Sequence, residues 1–231
     1  MPENWKVVLG SRSPRRQQLL RLVVPSERIV VVPPTDSDEP GFDEARSWSA
    51  VESRVLEVAR HKCEDVGRQL QDGRVSVDGS VVAVVTADTV VVATETDGRP
   101  VVLGQPRAQP GRDWRGTVRH WFRHYYAGRS HVVLTAVCVQ SNGRLVQRLA
   151  RSEVTFTRDV DRWLEWYLSL DEPLDKAGGY GIQGAADVFV TQVNGSVSNV
   201  VGFPLRDVLE LFDELQLSFV WRRERERGTA E

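Results

Sequence analysis

The chain is poor in the residues that carry the most familiar catalytic signatures. It holds two cysteines, Cys63 and Cys138, four histidines and one methionine in 231 residues. Two cysteines far apart exclude a disulfide scaffold and a cysteine-rich zinc site, and suit a reducing compartment with free thiols. No Ser–His–Asp set and no reactive-cysteine context stands out. His120 and His124 form an i, i+4 pair, but no acidic or cysteine partner lies near them in sequence, which argues against a metal pair. An excess of one charge is missing too. Lys plus Arg is 30 and Asp plus Glu is 32, a formal net charge of −2. That balance argues against a nucleic-acid coat and against a membrane-surface protein. No apolar run approaches the ~18 residues needed to span a bilayer, and the N-terminus lacks the basic-then-apolar order of a secretory leader. A cytoplasmic protein with no nucleic-acid or membrane partner is expected.

What is present is the pattern of an α/β protein. Trp5–Leu9 and Arg28–Val32 are short apolar runs that read as strands, with a helix from Arg15 to about Val23 between them. Ser49 to about Gln71 keeps a helical period through Val51, Val55, Val58, Ala59 and Val66. Val81–Ala93 is apolar on both faces and reads as the central strand of a covered sheet. Asn142-Gly143 marks a hairpin between His131–Gln140 and Arg144–Thr157. The aromatic-rich stretch 112–127 reads as a helix, as does 159–170, with Asp159 as its cap and Trp163, Trp166 and Tyr167 as anchors. Val188–Val193 and Ser196–Val201 flank Asn194-Gly195 and read as a second hairpin, before a last amphipathic helix opened by Pro204.

Several residues resist a purely structural reading. Ser13 and Pro14 suit the start of a helix, yet Arg15 and Arg16 occupy its first turn, where cations are disfavoured. Either these are solvated arginines on a polar turn, or an anion sits among them and the hydroxyls of Ser11 and Ser13. Lys62 falls on the inward stripe of its helix; it either snorkels outward or points at phosphate. The acidic stretch Thr35-Asp-Ser-Asp-Glu-Pro-Gly41 is a solvated turn or an oxygen-donor loop for a hard metal such as Mg²⁺. Asp88 and Thr89 interrupt the central strand, and an embedded carboxylate needs hydrogen bonds, a cation or a metal. Gly178, Gly179, Gly181 and Gly184 make a loop that lets backbone approach a ligand. Arginines, a lysine and carboxylates point to a phosphate-ester or nucleotide ligand and metal-assisted hydrolysis.

Leu9-Gly-Ser-Arg-Ser-Pro-Arg-Arg-Gln-Gln-Leu-Leu20, Ala87-Asp-Thr-Val-Val91, Gly128-Arg-Ser-His131, Asp175-Lys-Ala-Gly-Gly-Tyr-Gly-Ile-Gln-Gly184 and Asn194-Gly-Ser-Val-Ser-Asn-Val-Val-Gly-Phe-Pro-Leu205 together resemble the Maf family. The resemblance implies a nucleoside triphosphate pyrophosphatase. It implies a two-lobed α/β fold, with a long mixed sheet flanked by helices around a central cleft, similar to inosine triphosphate pyrophosphatases. It also implies one domain over residues 1–221, followed by a mixed-charge tail at 222–231. Asp88 and Glu39 match the catalytic and metal-binding carboxylates, with Mg²⁺ expected and Mn²⁺ as the alternative. Arg15, Thr89 and Gln183 match positions tied to substrate choice, and Arg16 and Lys62 match basic positions facing the phosphates, with Ser11 and Ser13 beside them. The blocks are similar to the branch acting on dTTP and UTP, and a homodimer is conceivable. The chain departs from the family where Gln105 replaces the usual lysine of Gly-Lys-Pro. It also has a longer, more aromatic 107–127 stretch and an extended linker at 71–80. The neutral Gln105 favours the alternative of a nucleotide-binding regulator of cell division with weak or no catalysis.

Overall fold

In the computed structural model, residues 3–35, 41–109, 111, 113–217 and 220 are described. They build one seven-stranded mixed sheet. Its strands are β1 (Trp5–Leu9), β2 (Ile29–Val31), β3 (Ser80–Thr94), β4 (Pro100–Leu103), β5 (Ser130–Ser141), β6 (Arg144–Phe156) and β7 (Val190–Asn194). The order across the sheet is β2-β1-β3-β5-β6-β7, with β4 also on β3. β1 runs parallel to β2 and β3; the remaining pairs are antiparallel. The helices are α1 (Pro14–Leu20), α2 (Trp48–Gln71), α3 (Trp114–Trp121), α4 (Asp161–Ser169), α5 (Val197–Val201) and α6 (Leu205–Glu214).

The organising element is β3. On one side it pairs with β5 from Val84 to Val92 without a break. On the other side β1 accompanies it only as far as Val85, and β4 takes over only at Val91. Among the described residues, no strand pairs with positions 86–90 on that side. Asp88 and Thr89 fall in this gap, where β3 lacks a strand neighbour on that side.

Alternation along β3 sends its side chains to two unlike faces. Val84, Val90 and Val92 join Val51, Val55, Ala59, Cys63 and Val66 of α2 in one continuous core. On the opposite face the core is divided. Ala83, Val85 and Ala87 pack with Leu19 and Leu20 of α1 and Val208, Leu211 and Phe212 of α6. Val91 and Ala93 pack instead with Trp114 and Val118 of α3, Phe122, Tyr126, Leu164 and Tyr167 of α4, and Phe189. Thr89 stands between these two cores, and its cross-strand partner is Thr135. The two threonine hydroxyls lie 3.1 Å apart, and Thr135 donates to the Asn199 carbonyl of α5. Asn199 is fully buried and donates from Nδ2 to Val133 O and Ser152 Oγ. This polar seam is the boundary between the two lobes.

Four expectations need correction. Residues 196–201 are not a strand. The Ser196 hydroxyl accepts from Asn199 N and starts α5, and Gly202 ends it in the left-handed conformation at φ 103°. A short valine-rich run fits strand or helix equally, and here the cap decides. Trp163 and Trp166 are not anchors: they are 43% and 46% exposed, and α4 buries Leu164, Tyr167 and Leu168 instead. Nor does Asp159 cap that helix, which begins at Asp161 after Val160 with no side-chain cap. The aromatic stretch is a helix only to Trp121; Phe122–Tyr126 widens into a π-turn that places Phe122 and Tyr126 in the core. There His131 is buried and shares a 2.7 Å hydrogen bond with Tyr180.

Burial holds the His131 pKa down at about 3, against 6.5 for a free imidazole. The unfolded chain takes up this proton below about pH 6.5, and the folded chain does not until about pH 3. The contribution of His131 to stability is therefore complete above pH 6.5 and is lost as pH falls towards 3, at roughly 1.4 kcal/mol per pH unit. Melting temperatures measured from pH 7 to pH 4 should fall less steeply in His131→Gln than in the wild type; parallel acid limbs would contradict this.

Candidate active site

The gap beside β3 opens into a cleft of about 1350 Å³. Ser11, Ser13, Arg15, Arg16, Lys62, Asp88, Thr89 and Gln183 all line it. They come from four separate segments: the turn into α1, α2, β3 and the glycine-rich loop. Glu39 lies outside the described residues, as does the 222–231 tail.

Each wall has a local cause. Lys62 projects from the inward stripe of α2, and its Nζ lies 2.8 Å from Asp88 Oδ1. The two side chains are 14% and 12% exposed, so this pair sits at the floor of the cleft. α2 is fixed against β3 there, because Thr86 Oγ1 donates to Ala59 O at 2.7 Å. On the opposite face of β3, Arg16 reaches from α1 to three oxygens. Nε donates to Gly202 O at 2.9 Å, Nη1 to Ser11 Oγ at 3.4 Å and Nη2 to Thr89 Oγ1 at 3.1 Å. One guanidinium thus ties α1, the end of α5 and β3 together at the mouth of the lobe boundary. Ser11 is buried and accepts from Ser13 N, while Ser13 caps α1 by accepting from Arg16 N. Both serines shape the turn that aims Arg16. The Arg15 side chain, one residue earlier, makes no hydrogen bond or ion pair among the described residues, and the same holds for the Gln183 side chain.

The cleft also contains residues that sequence reasoning did not single out. Lys176 lies in the glycine-rich loop and donates to Glu172 O. Its half-buried position, and next the charge of Arg15, hold its pKa below the ordinary lysine value. Two cations therefore meet across the cleft mouth. The signal was available, since Lys176 belongs to the Asp175–Gly184 block, but nothing local separates it from a surface lysine. Asp65 of α2 is not part of the cleft lining but holds Thr35, which is. Burial alone would raise its pKa, yet hydrogen bonds from Thr35 and Gln69 bring it below the usual value. Asp65 Oδ2 accepts Thr35 N–H at 2.9 Å, anchoring the first residue of the acidic stretch. Gln105 and Arg107 also line the cleft, so the neutral replacement at 105 faces it directly.

The profile of the family described as Maf-like protein matches residues 6–215. The chain belongs to this family. A dTTP/UTP pyrophosphatase from Anaeromyxobacter dehalogenans is 38% identical over 225 residues, covering 94% of this chain and 98% of that protein. A dTTP/UTP pyrophosphatase from Pyrococcus abyssi is 34% identical over 210 residues, covering 89% and 94%. A solved nucleoside-triphosphatase, a dITP/XTP pyrophosphatase from Mycobacterium abscessus, overlaps 66% of this chain and 74% of its own at 18% identity and a TM-score of 0.38. The Maf-like match covers every cleft residue named above. No helix among the described residues of this Maf-like chain is long and apolar enough to cross a membrane.

Proposed function

We propose that this Maf-like chain hydrolyses nucleoside triphosphates between the α- and β-phosphates, with dTTP, UTP and modified pyrimidine nucleotides as substrates, in the cytoplasm. The observation that carries this reading is the placement of Asp88 and Lys62 on one face of the β3 gap and Arg16 on the other, inside one cleft. Asp88 accepts a proton from water as the water oxygen bonds to the α-phosphorus; the bond from that phosphorus to the bridging oxygen breaks, and pyrophosphate leaves. Lys62 and Arg16 neutralise phosphate charge, which in a partly desolvated cleft is the larger share of catalysis. Arg15, Thr89 and Gln183 discriminate among substrates, and the unengaged side chains of Arg15 and Gln183 suit that task.

The donor set fits a divalent metal of the Mg²⁺ type, with Mn²⁺ as the alternative. Lys62 occupies Oδ1 of Asp88, and Oδ2 makes no hydrogen bond among the described residues. Mg²⁺ is usually held by one or two carboxylates together with substrate phosphates. No cluster of three or more His, Cys, Asp or Glu suited to a metal occurs among the described residues, which do not include Glu39. Asp88, with Glu39 as the second carboxylate, would hold the ion, which would supply charge neutralisation at the phosphates.

A pyrophosphate-release assay over standard and modified nucleotides, with Mg²⁺ and with chelator, tests this reading. Release from dTTP and UTP, abolished by chelator, is expected. Gln105→Lys should raise kcat/KM by about threefold to tenfold, because a charged donor in the cleft gains a charge-assisted contact to phosphate. No release from any nucleotide would overturn the hydrolase reading. Tight binding without release would favour a nucleotide-binding regulator, the role that the neutral Gln105 permits.

A further inference from the structure

The glycine-rich loop is held at its start by the aromatic core. Tyr126 Oη donates to Gly178 O at 2.9 Å and Tyr167 Oη to Gly179 O at 3.1 Å. Its second half, which carries Gln183, has a different support. Glu172 lies in the turn after α4, and its Oε2 accepts Ala185 N–H at 2.7 Å. The same carboxylate lies close against the loop at Gly184. A Cβ placed on Gly184 would fall 2.4 Å from Glu172 Oε1 and 2.6 Å from its Cδ. A Cβ on Gly181 would lie 3.6 Å from the same Oε1 and 2.9 Å from Lys176 Cε. The turn between them closes with Gly184 N donating to Gly181 O at 3.0 Å. Gly184 has φ −122°, a conformation open to any residue. A side chain there would have to displace the carboxylate, which fills that space.

We propose that Glu172 is a positioning residue: its carboxylate is the form on which Gly181–Gly184 is wrapped, and it thereby sets where Gln183 stands in the cleft. The proposal rests on the nucleotide-hydrolase reading for the task of Gln183, but not for the clamp itself. Glu172 touches neither Asp88 nor Lys62 in the contacts described above. Its loss should alter which base is accepted more than how fast the phosphoanhydride is cleaved.

The test compares wild type, Glu172→Ala, Glu172→Gln, Gly184→Ala and the Glu172→Ala/Gly184→Ala double variant by two readouts. The first is hydrogen exchange of the Ala185 amide. The second is kcat/KM for UTP relative to CTP and GTP. Glu172→Ala should speed the exchange about tenfold or more, as expected for an amide that loses a charged acceptor. It should also reduce the preference for UTP by about tenfold, the equivalent of one such contact, with kcat for the poor substrates little changed. Glu172→Gln keeps a carbonyl acceptor for Ala185 and should restore both. Gly184→Ala should mimic Glu172→Ala. In the double variant the added methyl occupies the vacated space, so the two effects should not add. Unchanged exchange in Glu172→Ala, additive effects in the double variant, or an equal loss for every nucleotide would overturn the proposal. Should the wild type release no pyrophosphate from any nucleotide, the hydrolase reading falls, and exchange together with the double-variant coupling in thermal stability still decides the clamp.

Discussion

Asp88→Asn is expected to lower pyrophosphate release from dTTP and UTP by about 10²–10⁴-fold, the usual worth of a positioned general base, with the fold retained. Asparagine has the same shape and still offers Lys62 Nζ an acceptor at the 2.8 Å contact seen in the wild type. What it lacks is the charge and the capacity to take a proton from water. Lys62→Met is the informative contrast. It leaves a carboxylate only 12% exposed without its lysine, which should cost on the order of 3 kcal/mol of stability as well as phosphate affinity. Single-turnover assays with urea titrations of both variants separate the two effects. Turnover retained in Asp88→Asn would remove Asp88 from its role, whatever the stability data.

The second large effect is expected at Gly202. This residue closes α5 at φ 103°, where a side chain is strained, and a Cβ there would fall 2.9 Å from Thr89 Oγ1. Its carbonyl is also the acceptor for Arg16 Nε. Gly202→Ala should cost about 2–4 kcal/mol, the left-handed strain and the overpacking together. Because the intruding methyl displaces the side chains that form the wall of the cleft at the lobe boundary, kcat/KM should fall alongside stability. Urea unfolding monitored with the nucleotide assay checks this. Near-wild-type stability would mean that the α1–α5 junction yields freely, and would weaken the case that the seam of Thr89, Thr135 and Asn199 is rigid. Gly195, also at positive φ, was visible beforehand through Asn194-Gly195, but Gly202 was legible only as part of a family block.

The contrast between these positions shows where sequence reasoning ends. Periodicity and punctuation were enough for β1, α2, β3, the β5–β6 hairpin and α6, because each carries its own pattern of alternation or helical period and is bounded by a cap, a glycine or a proline. An aspartate inside an apolar strand was also legible as a residue in need of a partner, since the physics of burying a carboxylate needs no knowledge of what that partner is. The identity of that partner was not. Lys62 lies 26 residues from Asp88 and Arg16 lies 73 from Thr89, and only the register of β1 on β3 and the docking of α2 and α1 bring them together. The short elements failed for the same reason. Residues 196–201 have too few residues for a period to show, so a single serine cap decided helix over strand. On α4, tryptophans and tyrosine look equally fit to anchor, and the packing of α3 and Phe189 selected Tyr167. By itself, then, the sequence determined the α/β class, the long elements and the need of Asp88 for a partner, since these follow from local pattern and from the cost of burying charge. The tertiary structure alone decided that β3 loses its neighbour at 86–90, that the core on one face divides at Thr89, and that a glutamate after α4 shapes the loop bearing Gln183. Each of these depends on contacts between segments far apart in the chain, which no local pattern encodes.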